Sequence, residues 1–501
     1  MMRWLLAPLL AAVCFLPAFP ECLSSSEETG RGEGKEQQQR PPNLVIVLAD
    51  DLGIGDPGCY NPQSGIATPY IDKLATQGMR FNDMHSPSAV CSPTRYGMLT
   101  GRYCWRTSLK KSVCFGYDPL LIELGRLTLA SLLKQWNYIT AAIGKWHLGL
   151  GGEKKADYSK VLKPGPNQIG FDYFLGFPAA LDMQPYVIVE NDRALAAPTA
   201  FMPASQSQRQ GGPGFWEAGP CAPGFKHEEV QPLFTAKAVE FIGKQKKDKP
   251  FFLYFPLTAV HHPWLPTKEF RGKSKAGPYG DFVQQMDATL GQIMKALDDG
   301  GHSDNTLIIF ASDNGAEWLP EEIKLFKHKA NMDWRGMKGD IWEGGHRVPF
   351  IARWPGKIKA GATSDETLCL VDVLATTAAV VGAKLPNDAA EDSFNFLPIL
   401  LGEKPAQPIR DFMIYHSFDG SYGIRQGPWM LTPILGSGGF TQPAQVPPVA
   451  GGPQGQLYNL KDDPRQTKNL WLAQSDQVRR LTALLEKAIK DGRTRPGPKG
   501  P

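Results

Sequence analysis

The strongest constraint on this chain is a set of short, unbroken apolar runs that each end in a polar cluster. Leu44-Val45-Ile46-Val47-Leu48 runs into Asp50-Asp51, and Ile139 to Ile143 runs into Lys145 and His147. Phe251 to Leu257 precedes His261, and Leu307 to Phe310 runs into Asp313-Asn314. A strand with one wet face alternates apolar and polar residues, whereas a continuous apolar run marks a strand buried on both faces. Helical signals separate these runs. Thr68-Pro69 opens a helix with Ile71, Leu74 and Ala75 on one face and Gly78 as its stop, and Leu129 to Trp136 and Phe282 to Leu297 carry helical patterns of their own. The alternation predicts an α/β fold with a large, mostly parallel sheet flanked by helices. Ligands of open α/β sheets bind beyond the carboxyl ends of the strands, so the four clusters are expected to converge on one site.

From about Ser393 the pattern loosens, with many Gly and Pro between Gly436 and Gly455. Short strands at Phe412 to Tyr415 and Trp429 to Leu431 precede a last amphipathic helix carrying Val478, Leu481, Leu484, Leu485 and Ile489. The predicted organisation is a signal peptide at 1–22, a polar linker at 23–41 and a main domain at 42–392. A smaller C-terminal α+β subdomain with a small antiparallel sheet and a helix follows at 393–492, then a disordered tail at 493–501. The 501 residues, 42% of them hydrophobic, suffice for one large core and a smaller one.

Met1-Met2-Arg3 followed by the apolar stretch Trp4 to Phe19 reads as a secretory signal. It is shorter than the about 20 apolar residues of a bilayer span, so the expectation is a secreted or periplasmic protein with no membrane span. The chain has no Asn-x-Ser/Thr acceptor, which favours a bacterial exported protein. A net charge of +4 with no long basic run excludes nucleic acid as a natural partner. Of eight cysteines, Cys14 and Cys22 fall in or beside the signal, leaving too few for a disulfide-built fold. One bridge among Cys104, Cys114 and Cys221 is compatible with an oxidising compartment, but its pairing cannot be read from the sequence.

Asp50, Asp51, Asp313 and Asn314 offer only oxygen ligands, which suits calcium or magnesium and disfavours zinc. Either pair alone could equally cap a helix or make a turn; it is their joint placement after two strands that points to a cation. Pro93 places Cys91 at a helix N-terminus, where free N–H groups favour an anion, and Arg95 points back to the same spot one turn later. On its own, Cys91 could be a nucleophile or a small buried residue.

The run Cys91-Ser92-Pro93-Thr94-Arg95, followed by Leu99-Thr100-Gly101-Arg102, resembles the formylglycine-dependent sulfatases, arylsulfatase-like members of the alkaline phosphatase superfamily. Further matches are Gly144-Lys145-Trp146-His147-Leu148-Gly149, Gly170-Phe171-Asp172, Ala311-Ser312-Asp313-Asn314-Gly315 and Arg335-Gly336-Met337-Lys338-Gly339. Glu343-Gly344-Gly345, Arg347-Val348-Pro349 and Leu457-Tyr458-Asn459-Leu460 follow in order, so the likeness covers Pro42 to about Leu470. It implies an alkaline phosphatase-like catalytic domain. It also implies that a separate maturation enzyme oxidises Cys91 to formylglycine and that calcium is held by Asp50, Asp51, modified Cys91, Asp313 and Asn314.

One hydroxyl of the hydrated aldehyde would attack sulfur while the alcohol leaves with a proton from His261 or Lys338. The second hydroxyl, deprotonated by His147, would then expel sulfate. Arg95, Lys145 and Lys338 would neutralise the transferring group. In His261-His262-Pro263 either imidazole could act, and the likeness favours His261. Two departures stand out. Ala180 replaces a side chain that helps bind sulfate in many relatives, leaving Asp182 as a candidate pocket residue, and Met430 stands where relatives often carry a basic group.

The expected activity is hydrolysis of a sulfate ester, on a sulfated carbohydrate in the first instance. Alternatives are a broad-specificity arylsulfatase, a phosphate or phosphonate ester hydrolase of the same superfamily, and a non-catalytic sulfoglycan-binding protein. Trp216, Trp264, Trp334 and Trp342 are either stacking surfaces for sugars or core residues.

Overall fold

In the computed structural model, which describes residues 40–152, 155–206, 209, 211–212 and 214–497, the first apolar run becomes the strand Asn43–Ala49, buried along its whole length. The expected signal at 1–22 and residues 23–39 of the expected linker lie outside the described residues. Ten strands form the main sheet in the order Ala362–Ser364, Met79–Phe81, Phe350–Arg353, Thr306–Ser312, Asn43–Ala49, Phe251–Pro256, Ile139–Lys145, Tyr173–Phe177, Val189–Glu190, Arg193–Ala194. The five strands from Thr306–Ser312 to Tyr173–Phe177 run parallel. Phe350–Arg353 is antiparallel to both its neighbours, and the last two strands fold back as antiparallel ribbons. The sheet is therefore parallel where it carries the polar clusters and mixed at its edges.

The pleat divides each central strand between two cores. Leu44, Ile46 and Leu48 face Leu129, Leu133, Val373 and Leu374 from the helices Leu129–Gln135 and Val373–Val381. Val45, Val47 and Ala49 face Ile71, Phe234 and Leu290 from Pro69–Gln77, His227–Gly243 and Gly277–Asp299. Each strand residue thus meets an apolar layer, which is why the runs carry no alternation.

A second, antiparallel sheet pairs Met413–His416, Tyr422–Gln426, Trp429–Thr432 and Gln456–Asn459. The helix Ser475–Lys490 covers it through Leu481, Leu485 and Ala488; Ile489, read from the sequence as part of that apolar face, is instead exposed. This sheet shares its core with Tyr103, Trp105, Cys369 and Val371 of the preceding chain. A buried ionic network also ties it down. Arg425 donates to Asp83 at 2.8 Å, and Arg347 reaches Asp83 at 2.6 Å and Glu343 at 2.7 Å. Burial acts against the charge on Asp83, but Arg347 and Arg425 together hold its carboxyl well below the usual range.

Residues 493–497, expected as part of a disordered tail, are instead anchored. The Thr494 N–H and hydroxyl both donate to Asp392 at 3.0 Å, and Arg495 donates to the Ala389 carbonyl at 2.7 Å. Composition suggested disorder because these backbone partners lie about a hundred residues away in sequence. Cys59, Cys91, Cys104, Cys114, Cys221 and Cys369 are all free thiols, so the bridge considered among Cys104, Cys114 and Cys221 is not formed. Among the described residues, no helix is long and apolar enough to cross a membrane.

Replacing Arg425 with Met strands part of a buried carboxylate network and is expected to destabilise the fold by about 3–5 kcal/mol. Urea unfolding measures this, and an unchanged midpoint would show that the network does not hold the second sheet.

Candidate active site

The carboxyl ends of the central strands deliver the site. Asp50 and Asp51 follow Asn43–Ala49, and Asp313 and Asn314 follow Thr306–Ser312 on the adjacent strand. Ile139–Lys145 ends on Lys145 itself, and the loop after Phe251–Pro256 brings His261 back against Asp50. There the Asp50 N–H donates to the Ala259 carbonyl at 3.0 Å, and the Val260 N–H donates to the Asp50 carbonyl at 2.7 Å. Cys91 is the first residue of the helix Cys91–Thr100, with extended Val90 before it and left-handed Gly101 after it.

The second sheet sets the approach to Cys91. The Ala89 N–H donates to the His416 carbonyl at 2.9 Å, the Gly339 N–H donates to the Ala89 carbonyl at 2.8 Å, and the Phe418 N–H donates to the Gly339 carbonyl at 2.8 Å. The residues before Cys91 and the loop bearing Lys338 are thus stitched to one strand end.

The side chains converge tightly. Cys91 Sγ lies 3.4 Å from Asp50 Oδ1 and 3.5 Å from Lys145 Nζ, and Lys145 Nζ is 2.5 Å from Asp50 Oδ2. Arg95 grips Asp313 Oδ2 through Nε at 2.9 Å and Nη2 at 2.6 Å, and Nη2 also lies 3.5 Å from Asp50. Lys338 Nζ donates to Asp51 Oδ2 at 2.7 Å, and Asn314 Nδ2 donates to Asp51 Oδ1 at 2.7 Å. One ligand atom from each of Asp50, Asp51, Cys91 and Asp313 falls within 4.8 Å of the others. Asn314 Oδ1 is buried without a hydrogen-bond partner among the described residues.

His261 Nε2 stands 3.8 Å from Asp51, while Nδ1 is 2.6 Å from the His262 carbonyl and 3.8 Å from Asp182 Oδ1. His147 follows Lys145 in a left-handed conformation, φ 58°, and neither of its ring nitrogens makes a well-aligned hydrogen bond among the described residues. The candidate catalytic and metal-binding residues read from the sequence therefore come together in this cluster, with Asp182 at its border.

Burial dominates the electrostatics. It pushes the Cys91 thiol well above its usual range, and it pushes Asp313 up to about 7, with the neighbouring Asp50 carboxylate adding to the effect. Asp51 is likewise raised by burial, whereas at Asp50 the desolvation is outweighed by Lys145, Arg95 and Lys338. Burial and the nearby lysines hold His147 and His261 well below the ordinary imidazole range, so both are neutral in the free protein. Burial alone would lower Lys338, but Asp51 and its acidic neighbours hold it well above the usual range.

A supporting layer was not read from the sequence. Asp56 accepts the Gly53 N–H at 2.7 Å, meets His328 Nε2 at 2.7 Å and accepts from the Tyr279 hydroxyl, fixing the loop behind left-handed Asp51, φ 62°. Asn331 locks the other acidic loop, accepting from the Ala316 N–H and donating to the Ala316 carbonyl, both at 2.9 Å. The two loops touch the same segment so closely that a Cβ on Gly53 would sit 2.1 Å from the Ala330 carbonyl oxygen. Glu317, also unflagged, is half-buried beside His262 at 3.7 Å and pairs with Arg209. The only sequence signal for it was its place three residues after Asn314.

Ala180 is fully buried and offers no polar group. Met430 is also fully buried, in an apolar cluster with Trp342 and Tyr458, so it supplies no surface contact of any kind. Trp264 and Trp342 are core residues, whereas Trp216 and Trp334 are half-buried.

The geometry is that of an anion-binding, oxygen-rich pocket around a residue at a helix N-terminus, and the comparisons give its class. The family model described as Sulfatase matches residues 42–383, and the chain belongs to that family of sulfuric ester hydrolases. It is 33% identical to the N-acetylgalactosamine-6-O-sulfatase of Bacteroides thetaiotaomicron, covering 94% of this chain and 97% of that protein. It is 32% identical to human arylsulfatase A, covering 86% and 83%. A solved 6S-sulfatase structure concerned with glycosaminoglycan metabolism by Bacteroides thetaiotaomicron superposes with a TM-score of 0.81 at 33% identity, covering 90% of this chain and 99% of that one.

Proposed function

We propose that this protein is an exported sulfatase that removes sulfate from a sulfated carbohydrate, using calcium and a formylglycine made from Cys91. The observation that carries the reading is the meeting of Cys91, Asp50, Asp51 and Asp313 within 4.8 Å, bracketed by Arg95, Lys145 and Lys338. The name of the Bacteroides relative supports a sugar sulfate as substrate. The apolar N-terminal stretch supports export to the periplasm or beyond.

The residues present fit a cation. Their donors are carboxylate and amide oxygens, and Asn314 Oδ1 is a buried acceptor left open, as a hard metal ion requires. Charge balance alone does not demand one, because three basic side chains already face three carboxylates. What a dication would add is a net positive site able to draw in a sulfate monoester. Asp50, Asp51, Asp313 and Asn314 would hold the ion together with the oxygen that replaces sulfur at residue 91. When present, the hydrated aldehyde supplies a nucleophile with its own route for releasing sulfate, and calcium polarises the sulfuryl oxygens.

The side chains then divide the remaining work. Arg95 and Lys145 fix the position of residue 91 and its neighbouring carboxylates, and Lys338 Nζ offers positive charge to the sulfuryl group. Neutral His147, with both nitrogens free of strong partners, is suited to accept a proton from a hydroxyl at residue 91. For the leaving alcohol two donors stand close, Lys338 Nζ and His261 Nε2. His261 is neutral in the free protein, and a bound sulfate would raise its proton affinity by offsetting the two lysines. Asp182 Oδ1, buried and without a hydrogen bond among the described residues, is suited to accept one from a sugar hydroxyl.

The deciding experiment is sulfate release from a panel of sulfated mono- and oligosaccharides, an aryl sulfate and an aryl phosphate, using protein co-expressed with a maturation enzyme. Release from one sugar class that vanishes in Cys91→Ala is the expected result; phosphate release without sulfate release would move the assignment to a phosphoester hydrolase. Asp313→Asn is expected to lower calcium content and cut turnover at least about 100-fold, and full metal occupancy with full activity would sink the ligand set. If His261 supplies the proton, His261→Ala will slow alkyl sulfates far more than activated aryl sulfates. The same selectivity in Lys338→Ala, with equal losses in His261→Ala, would transfer that role to Lys338.

A further inference from the structure

The segment from Lys327 to Trp334 walls the reaction site on one side, through the Ala330 carbonyl on the Gly55 N–H at 2.6 Å and Asn331 on Ala316. Its outer side borders a separate groove of about 490 Å³ that takes no part in the chemistry above. Three cations, Lys327, Lys329 and Arg465, line this groove against one carboxylate, Asp333. Asp333 pairs with Lys329 at 2.6 Å and with Arg465 at 2.5 Å, while exposed Lys327 has no ion pair among the described residues. The groove is thus net positive. Trp334 offers it part of an indole, and Asn61 and Gln63 supply amides.

The backbone around the groove is held in unusual conformations. Lys327 at φ 53°, Met332 at φ 55° and Gln466, next to Arg465, at φ 53° all lie in the left-handed region that non-glycine residues seldom occupy. Lys327 closes the helix Pro320–Phe326 at a cap position where glycine would sit without that cost.

We propose that this groove binds the anionic chain of a sulfated polysaccharide at sugars beyond the one being desulfated, so that polymeric substrate is held on the enzyme; the choice of a glycan rests on the substrate reading above. Cations match sulfate and carboxylate groups, amides match hydroxyl edges, and the half-buried indole of Trp334, with Arg347 over its ring at 4.1 Å, adds an apolar border. Attachment at a second point raises the local concentration of sulfated ends at the reaction site without altering the reaction itself.

The test uses Lys327→Glu/Lys329→Glu, both exposed positions outside the reacting cluster. With chondroitin sulfate chains, kcat/KM is expected to fall about tenfold through KM, while turnover of N-acetylgalactosamine 6-sulfate stays within about twofold. Titration of chondroitin sulfate into Cys91→Ala protein, with and without the two charge reversals, measures binding apart from turnover and should show about tenfold weaker binding in the reversed protein. Arg465→Gln, from a separate loop, should move the same readout in the same direction. Chain binding that is absent, or unchanged by these substitutions, overturns the groove. Groove-dependent binding without sulfate release from any sugar would leave the groove standing and sink the substrate reading instead.

Discussion

Everything in this molecule is arranged around the burial of three carboxylates, Asp50, Asp51 and Asp313, at the ends of two adjacent strands. Carboxylates removed from water are unfavourable unless matched. Arg95, Lys145 and Lys338 match them, and each comes from a different part of the chain: a helix, a third strand and a distant loop. The parallel centre of the sheet provides the register that puts Asp50 and Asp313 side by side. The helix Cys91–Thr100 then brings residue 91 and Arg95 onto the same carboxylates. With three cations set against three carboxylates, a dication held there as proposed would leave the cluster net positive and so attractive to an anion.

Much of this was legible because apolar runs and polar ends are local signals. The strands Asn43–Ala49, Ile139–Lys145, Phe251–Pro256 and Thr306–Ser312 fall where the runs placed them, and Asp50, Asp51, Cys91, Arg95, Lys145, His147, His261, Asp313, Asn314 and Lys338 meet as the motifs implied. The sheet edges were not legible: Ala362–Ser364 and Arg193–Ala194 are too short to carry a periodic signal. Nor was the layer behind the site. Asp56, His328 and Tyr279 are far apart in sequence, and only the folded chain makes them partners. The end of the chain misled for the same reason. Arg493 to Pro496 reads as solvent-loving, yet its anchors are backbone carbonyls and Asp392, which composition cannot register.

The second sheet is more than an appended subdomain. Its strand end at His416 and Phe418 is hydrogen-bonded into the approach to Cys91 and the loop of Lys338. Arg425, from the neighbouring strand, enters the ionic network of Asp83 and Glu343. A chain lacking this sheet would still hold the acidic strand ends but would lose one wall of the pocket.

That wall has a consequence for the order of events in the cell. Cys91 is only 1% exposed once folding is complete, and the strand that closes over its approach is made more than three hundred residues later. An enzyme acting on the Cys91 thiol, as the proposed maturation requires, would have to reach it before this burial is complete. Under the proposed function, its opportunity would lie before His416 docks, so slower closure of the second sheet would lengthen the time in which Cys91 can be reached.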